Sequence, residues 1–225
     1  MRPLMSEFSR KLFTPARHLL NSLGYYKPSR ANVTDLVCQQ LRYRYPQCAS
    51  RFGSLGTGRL ALTDLITYNA VGIELGVAEG YFSDVMLSSE RIGRLFSVDC
   101  WSDHHDSAEY VRAVARLAKY GNRSLVMRSS FDDALSFFSN GYFDFIYIDA
   151  YAHTGQEDGG ILNKWYPKLK SGGLFSGHDY DVNEWPKTVE AVGRFAKRFG
   201  KEVMTLPGVL TENPEDKYPS WYFFS

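Results

Sequence analysis

"VGIELGVAEGYFSD", residues 71–84, decides the fold. An apolar run of strand length passes through Glu74 into a turn that holds Gly76 and Gly80, and a helical pattern begins after it. A strand, a glycine-bearing turn and a helix in that order open a parallel α/β sheet. The alternation continues downstream. Strands are expected at 71–75, 94–98, 124–127, 143–148 and 173–176, with helices at about 79–90, 107–119 and 131–138, another up to Leu169, and one from Pro186 to Phe199. "KEVMTLPG" (201–208) and "SWYFFS" (220–225) then give two strands with no helix between them, so the last should run antiparallel. The expected fold is a doubly wound, mostly parallel seven-stranded α/β sheet with an antiparallel last strand.

Upstream, residues 1–65 read as an N-terminal helical cap, broken at Pro15, Pro28 and Pro46 and closing in the glycine-rich "RFGSLGTGRL"; residues 66–225 are expected to form the α/β domain. "GSLGTG" (53–58) follows no strand and is expected to be a flexible loop, not a phosphate cradle. The first twenty residues place Leu4, Phe8 and Leu12 on a stripe among Arg2, Arg10, Lys11 and Arg17. That pattern suits an amphipathic helix packing on its own domain or on a sister subunit, so a homo-oligomer through these helices is expected.

Composition narrows the partners. The chain of 225 residues is 44% hydrophobic, with 26 Lys plus Arg against 25 Asp plus Glu and a net charge of +1. Such a balance exerts no general pull on nucleic acid, and the partner is expected to be a small molecule or a glycan. Cys38, Cys48 and Cys100 form no C-x-x-C pair, which fits a reducing compartment without a disulfide framework. No apolar run reaches membrane-spanning length and no secretory leader is evident, so a cytoplasmic location is expected.

In a doubly wound sheet the ligand lies at the carboxyl ends of the strands. Those ends carry Glu74 and Gly76, then Asp99, then Ser129 and Ser130, then Asp149, then His178 and Asp179. The first turn reads E-x-G-x-x-x-G where a dinucleotide fold needs G-x-G-x-x-G. Ala78 puts a methyl group in the pyrophosphate cradle, and the charge of Glu74 repels a diphosphate but suits an ammonium or sulfonium. Asp99, in "LFSVDCW", is placed to accept both hydroxyls of a ribose, with Trp101 as a flat surface for a purine.

"IELGVAEGYFS", "SVDCW", "FDFIYIDA", "WYPKLKSGGLFSGHDY" and "EWPKTVEAVGRF", in that order, resemble class I S-adenosylmethionine-dependent methyltransferases, in particular the branch whose fifth strand ends in G-H-D-Y. The resemblance spans about residues 70–200, with "SWYFF" similar to the final strand. It implies S-adenosyl-L-methionine as donor, with Glu74, Gly76 and Gly80 at its methionine part, Asp99 at the ribose, Trp101, Ser130 and Phe131 at the adenine, and Ser83 and Asp149 in contact with it as well.

An alcohol acceptor needs a general base or a metal to become nucleophilic. Asp149, His153, His178 and Asp179 are the candidates, all close after the fourth and fifth strands. In similar enzymes that methylate macrolide sugars, a carboxylate at the position of Asp149 and two acidic residues at those of 178 and 179 bind magnesium, and a following histidine is the base. The resemblance therefore implies a divalent metal, Mg or Mn, on Asp149, His178 and Asp179, with His153 as base. Here His178 stands where that pattern has an acid, which favours manganese over magnesium, and "DAYAH" sets His153 one residue further from Asp149. The function expected by analogy is O-methylation of a sugar hydroxyl, free, on a natural product or at a glycan end. A phenolic or other small-molecule hydroxyl is the alternative acceptor, and a non-catalytic nucleotide-binding module is the reading from another class. His104 and His105, in "WSDHHD", are expected to sit in a helix-capping loop beside Asp103 and Asp106.

Overall fold

The computed structural model describes residues 58–102, 104–209 and 214–225. The expected cap, its amphipathic helix and its subunit interface lie outside these residues, apart from 58–65. There, two short helical turns, Gly58–Ala61 and Leu62–Leu65, precede the sheet.

The strands are β1 (Ala70–Leu75), β2 (Ile92–Asp99), β3 (Ser124–Arg128), β4 (Phe143–Ile148), β5 (Leu169–Gly177), β6 (Met204–Leu206) and β7 (Ser220–Phe224). Between them stand α1 (Tyr81–Ser88), α2 (Ser107–Leu117), α3 (Phe131–Leu135), α4 (Gly160–Trp165) and α5 (Pro186–Arg198). One sheet results, in the order β3-β2-β1-β4-β5-β7-β6. Pairs among β1 to β5 are parallel, and β7 runs antiparallel to both β5 and β6. The expected architecture is therefore the observed one.

Helices cover both faces of the sheet, and the period of two along each strand assigns side chains to them. Ile73, Leu75, Phe96, Val98, Ile146, Ile148 and Phe175 pack on one face with Ile161 and Trp165 of α4 and Val192 and Phe195 of α5. Leu95, Phe145, Tyr147 and Leu174 pack on the other with Phe82, Met86 and Leu87 of α1. Ala61 and Leu62, from the turns before β1, are buried in that second cluster. Helix starts follow local chemistry. Asp106 accepts the amides of Ala108 and Glu109 while the Glu109 carboxylate accepts the Asp106 amide, a reciprocal cap that opens α2; Pro186 opens α5 with a preset φ.

From β1 the chain winds outward through β2 and β3, then returns to place β4 on the other side of β1. The crevice between the carboxyl ends of β1 and β4 is thus where strand order reverses, the place at which doubly wound sheets bind ligands.

Candidate active site

At that crevice the two strand ends touch. The amide of Asp149 donates to the carbonyl of Leu75, and a Cβ on Gly76 would stand 2.0 Å from the Asp149 carbonyl oxygen. Gly76 also holds φ +92, so no other residue fits there. The loop then turns through Ala78, itself left-handed at φ 47, to Gly80, which caps α1 at φ 78. Ala78 is one of four non-glycine residues held left-handed just past strand ends, with Trp101 (φ 44), Tyr151 (φ 52) and Asp179 (φ 59). Strained backbone of this kind persists where the surrounding structure dictates it, and it gathers at functional sites.

Asp99 and Trp101 dictate the conformation of this loop. One Asp99 oxygen accepts the amides of Val77 and Ala78 at 2.8 and 3.0 Å, and the other accepts the Trp101 amide at 3.2 Å. The Trp101 indole N–H donates to the Ala78 carbonyl at 2.9 Å. Asp99 is 3% exposed, and its second oxygen retains acceptor capacity for a hydroxyl. Trp101, expected to offer its face to a purine, is 1% exposed and packs with Val77, Ala113 and Tyr110, so its ring shapes the loop from within. Ser130 caps α3 through the Asp133 amide, and Phe131 meets Tyr151 edge to face at 5.8 Å across the ends of β3 and β4.

Glu74 differs from its expected setting. Ile73 and Leu75 occupy one face of β1, so Glu74 projects to the other, beneath α1, where it is 1% exposed. Ser83 of α1 donates to its carboxylate, and Ser83 in turn meets Ser97 at 2.8 Å. Burial pushes the carboxyl up to about 8, against the Ser83 hydrogen bond and with the charge of Asp149 adding to the rise. Near neutrality the residue is largely the neutral acid inside the domain, not a charge at the crevice mouth. Ser83 accordingly meets β1 from α1, and Gly80 caps that helix, its amide donating to the Val77 carbonyl.

Beyond β4 and β5, Asp149, His178 and Asp179 come together, their ligand atoms all within 4.8 Å of one another. His178 is 2% exposed, and its Nε2 lies 3.2 Å from the Tyr218 carbonyl, which can only accept, so Nε2 carries a proton. Its Nδ1 then faces Oδ1 of Asp149 at 3.4 Å and Oδ1 of Asp179 at 3.2 Å. A bare lone pair between two carboxylates is repulsive, so a cation belongs at that point: a proton or a metal ion. Without a metal it is a proton; burial opposes the imidazolium, but Asp149 and Asp179 raise it to about 9. Burial likewise opposes ionisation of Asp149, yet His178 and Arg59 hold its carboxyl below the usual range; for Asp179 burial prevails and raises it.

The donor set also fits a metal. Ligand atoms about 2.1 Å from one ion, at angles of about 90–110°, stand about 3.0–3.4 Å apart. The two separations from Nδ1 fall within that range and exceed the roughly 2.7–2.9 Å of a good charge-assisted hydrogen bond. The Nε2–H to Tyr218 bond supplies the outer contact that orients a metal-ligating imidazole. His153 stands apart from this trio, exposed in the helical turn Ala152–Thr154.

Sequence reasoning missed Arg59. It is 7% exposed, and its Nη1 meets Oδ2 of Asp149 at 2.9 Å while its Nε meets Oδ1 of Asp216 at 2.7 Å. The guanidinium lies 4.5 Å over the ring of Phe82. Arg59 follows directly on the stretch expected to be a flexible loop. Its adjacency to buried Ala61 and Leu62, at the edge of an apolar turn, was the available signal. After β2, Asp106 caps α2 as expected, and His105 pairs with Glu109 at 2.8 Å.

Residues 73–180 match a family described as "Methyltransferase domain". No curated protein matches the chain in sequence. Among solved structures, an O-methyltransferase from Bacillus cereus in complex with SAH has a TM-score of 0.55 at 16% identity, over 94% of this chain and 97% of that one. Spermidine synthase from Thermotoga maritima has a TM-score of 0.54 at 16% identity, over 74% of this chain, which spans 60% of that enzyme's length. A tRNA (m1A58) methyltransferase from Aquifex aeolicus has a TM-score of 0.53 at 15% identity, over 74% of this chain and 66% of that one. The fold is that of class I methyltransferases. Those neighbours act on unlike acceptors, so the fold does not choose one.

Proposed function

We propose that the chain is an S-adenosylmethionine-dependent methyltransferase that acts on oxygen, at a hydroxyl of a sugar that is free, on a natural product or at a glycan end, with a divalent metal held by Asp149, His178 and Asp179. The observation that carries the reading is the pair of carboxylate oxygens converging on Nδ1 of an imidazole whose other nitrogen is anchored. That arrangement sits beside the donor loop and suits an acceptor oxygen that must be both oriented and deprotonated. A bound divalent ion supplies the Lewis acidity that lowers the pKa of the hydroxyl.

The chain's own residues do the rest. The Asp99-braced loop and Gly76 hold the donor at the crevice, and Asp149 and Asp179 keep negative charge where the acceptor proton leaves. The acceptor oxygen attacks the methyl carbon, the carbon–sulfur bond breaks with its electrons going to sulfur, and the donor departs as a neutral thioether. The hydroxyl proton goes to a base, for which His153, in the exposed turn after β4, is our candidate.

Asp179→Ala is expected to lower turnover by roughly a hundredfold or more with donor affinity nearly intact, since the lost interaction acts mainly in the transition state. Chelator should reproduce the defect, and manganese should restore activity better than magnesium. Methyl transfer is then assayed on sugars, catechols and tRNA. Full activity in chelator sinks the metal, and transfer confined to catechols moves the acceptor to the phenolic class.

A further inference from the structure

We propose that Arg59 is a positioning residue for the acceptor centre: by holding Oδ2 of Asp149 it restricts that carboxylate to one free oxygen and aims this oxygen at His178 Nδ1. The inference rests on the metal reading above and concerns a residue outside the sheet. A carboxylate fastened at one end can rotate and offer an ion either one oxygen or both. Asp149 cannot, because Nη1 of Arg59 occupies Oδ2 at 2.9 Å while Oδ1 faces His178 at 3.4 Å.

The guanidinium is itself fixed from two further sides. Its Nε is anchored at 2.7 Å by Asp216, from the turn before β7, and its central carbon stands over the ring of Phe82 of α1. A planar fork with separate Nε and Nη1 donors meets both carboxylates at once, which a single ammonium cannot do in the same geometry. The positive charge of Arg59 offsets one of the three carboxylates Asp149, Asp179 and Asp216. Net negative charge therefore remains toward the cation, and coordination positions stay open for acceptor oxygens.

The test measures Mn(II) affinity by the free-ion paramagnetic resonance signal and donor affinity by calorimetry, in wild type, Arg59→Lys and Asp216→Asn. Arg59→Lys keeps the charge and loses the fork, and Asp216→Asn leaves Arg59 and Asp149 in place but weakens the anchor. Both are expected to bind Mn(II) at least tenfold more weakly, with donor affinity within about twofold of wild type and the kinetic loss in kcat at unchanged donor KM. Wild-type Mn(II) affinity in either folded variant overturns the inference alone. Parallel losses of donor and Mn(II) affinity also overturn it, by reducing Arg59 to a general structural part. If wild type binds no Mn(II), the metal reading fails and the inference falls with it. Should Arg59→Lys fail to fold, Asp216→Asn decides.

Discussion

Burying Glu74 has a cost that depends on pH, and the dependence can be isolated. Its carboxyl titrates near 4.5 in an unfolded chain and near 8 in the native domain. Below 4.5 both states carry the proton, and no penalty arises. Between the two values the unfolded chain has released its proton and the native state has not, so native stability falls as pH rises, by about 1.4 kcal/mol for each pH unit. Above 8 both are ionised and the loss levels off, having reached on the order of 5 kcal/mol. Glu74→Gln removes the titration while leaving a carbonyl oxygen to accept from Ser83. Urea denaturation of the two proteins at pH 5, 6, 7, 8 and 9 gives the difference directly, because groups common to both cancel. The wild type is expected to weaken relative to Glu74→Gln steadily from pH 5 to 8 and then run parallel to it. A difference that is constant across this window would falsify the raised carboxyl, and one that grows in the opposite sense would mean that Glu74 is held ionised.

Asp99→Ala is expected to weaken S-adenosylmethionine binding at least tenfold, about 1.4 kcal/mol, by calorimetry, and also to lower Tm, because three backbone amides lose their acceptor. Unchanged donor affinity would confine Asp99 to bracing the loop. Trp101→Phe keeps the buried ring but deletes the bond to Ala78, with an expected loss of about 1 kcal/mol in stability and weaker donor binding; an unaltered melting curve would show that the bond does not hold the loop. His153→Ala is expected to slow methyl transfer by about 10²–10⁴-fold and to remove one limb of the pH profile, with donor affinity unmoved. A wild-type profile in that variant assigns the proton to another group.

Most of the sheet was legible because parallel strands buried on both faces are continuous apolar runs, and "FDFIYI" of β4 is one. Asp149, His178 and Asp179 were legible as a group because a strand end fixes position to within a residue or two. The direction of Glu74 was readable too, from the alternation that sets it opposite Ile73 and Leu75, but the polarity of the following loop suggested the mouth instead. The indole of Trp101 gave no such clue, since an aromatic residue past a strand end packs inward or outward with equal ease. Arg59 was the least accessible: its partners lie 90 and 157 residues away, and a contact across that span leaves no periodic trace.

The four left-handed residues at the crevice rim bear on how this protein would respond to laboratory evolution. Ala78, Trp101, Tyr151 and Asp179 each hold a backbone that glycine adopts freely. In a selection for stability alone, glycine becomes a tolerated replacement at Ala78, where only a methyl group is given up. In a selection for turnover, the same replacement loosens the rim and is purged. Libraries at these positions should therefore diverge according to what is rewarded, with the sharpest split at Asp179, where side-chain chemistry and backbone constraint sit on one residue.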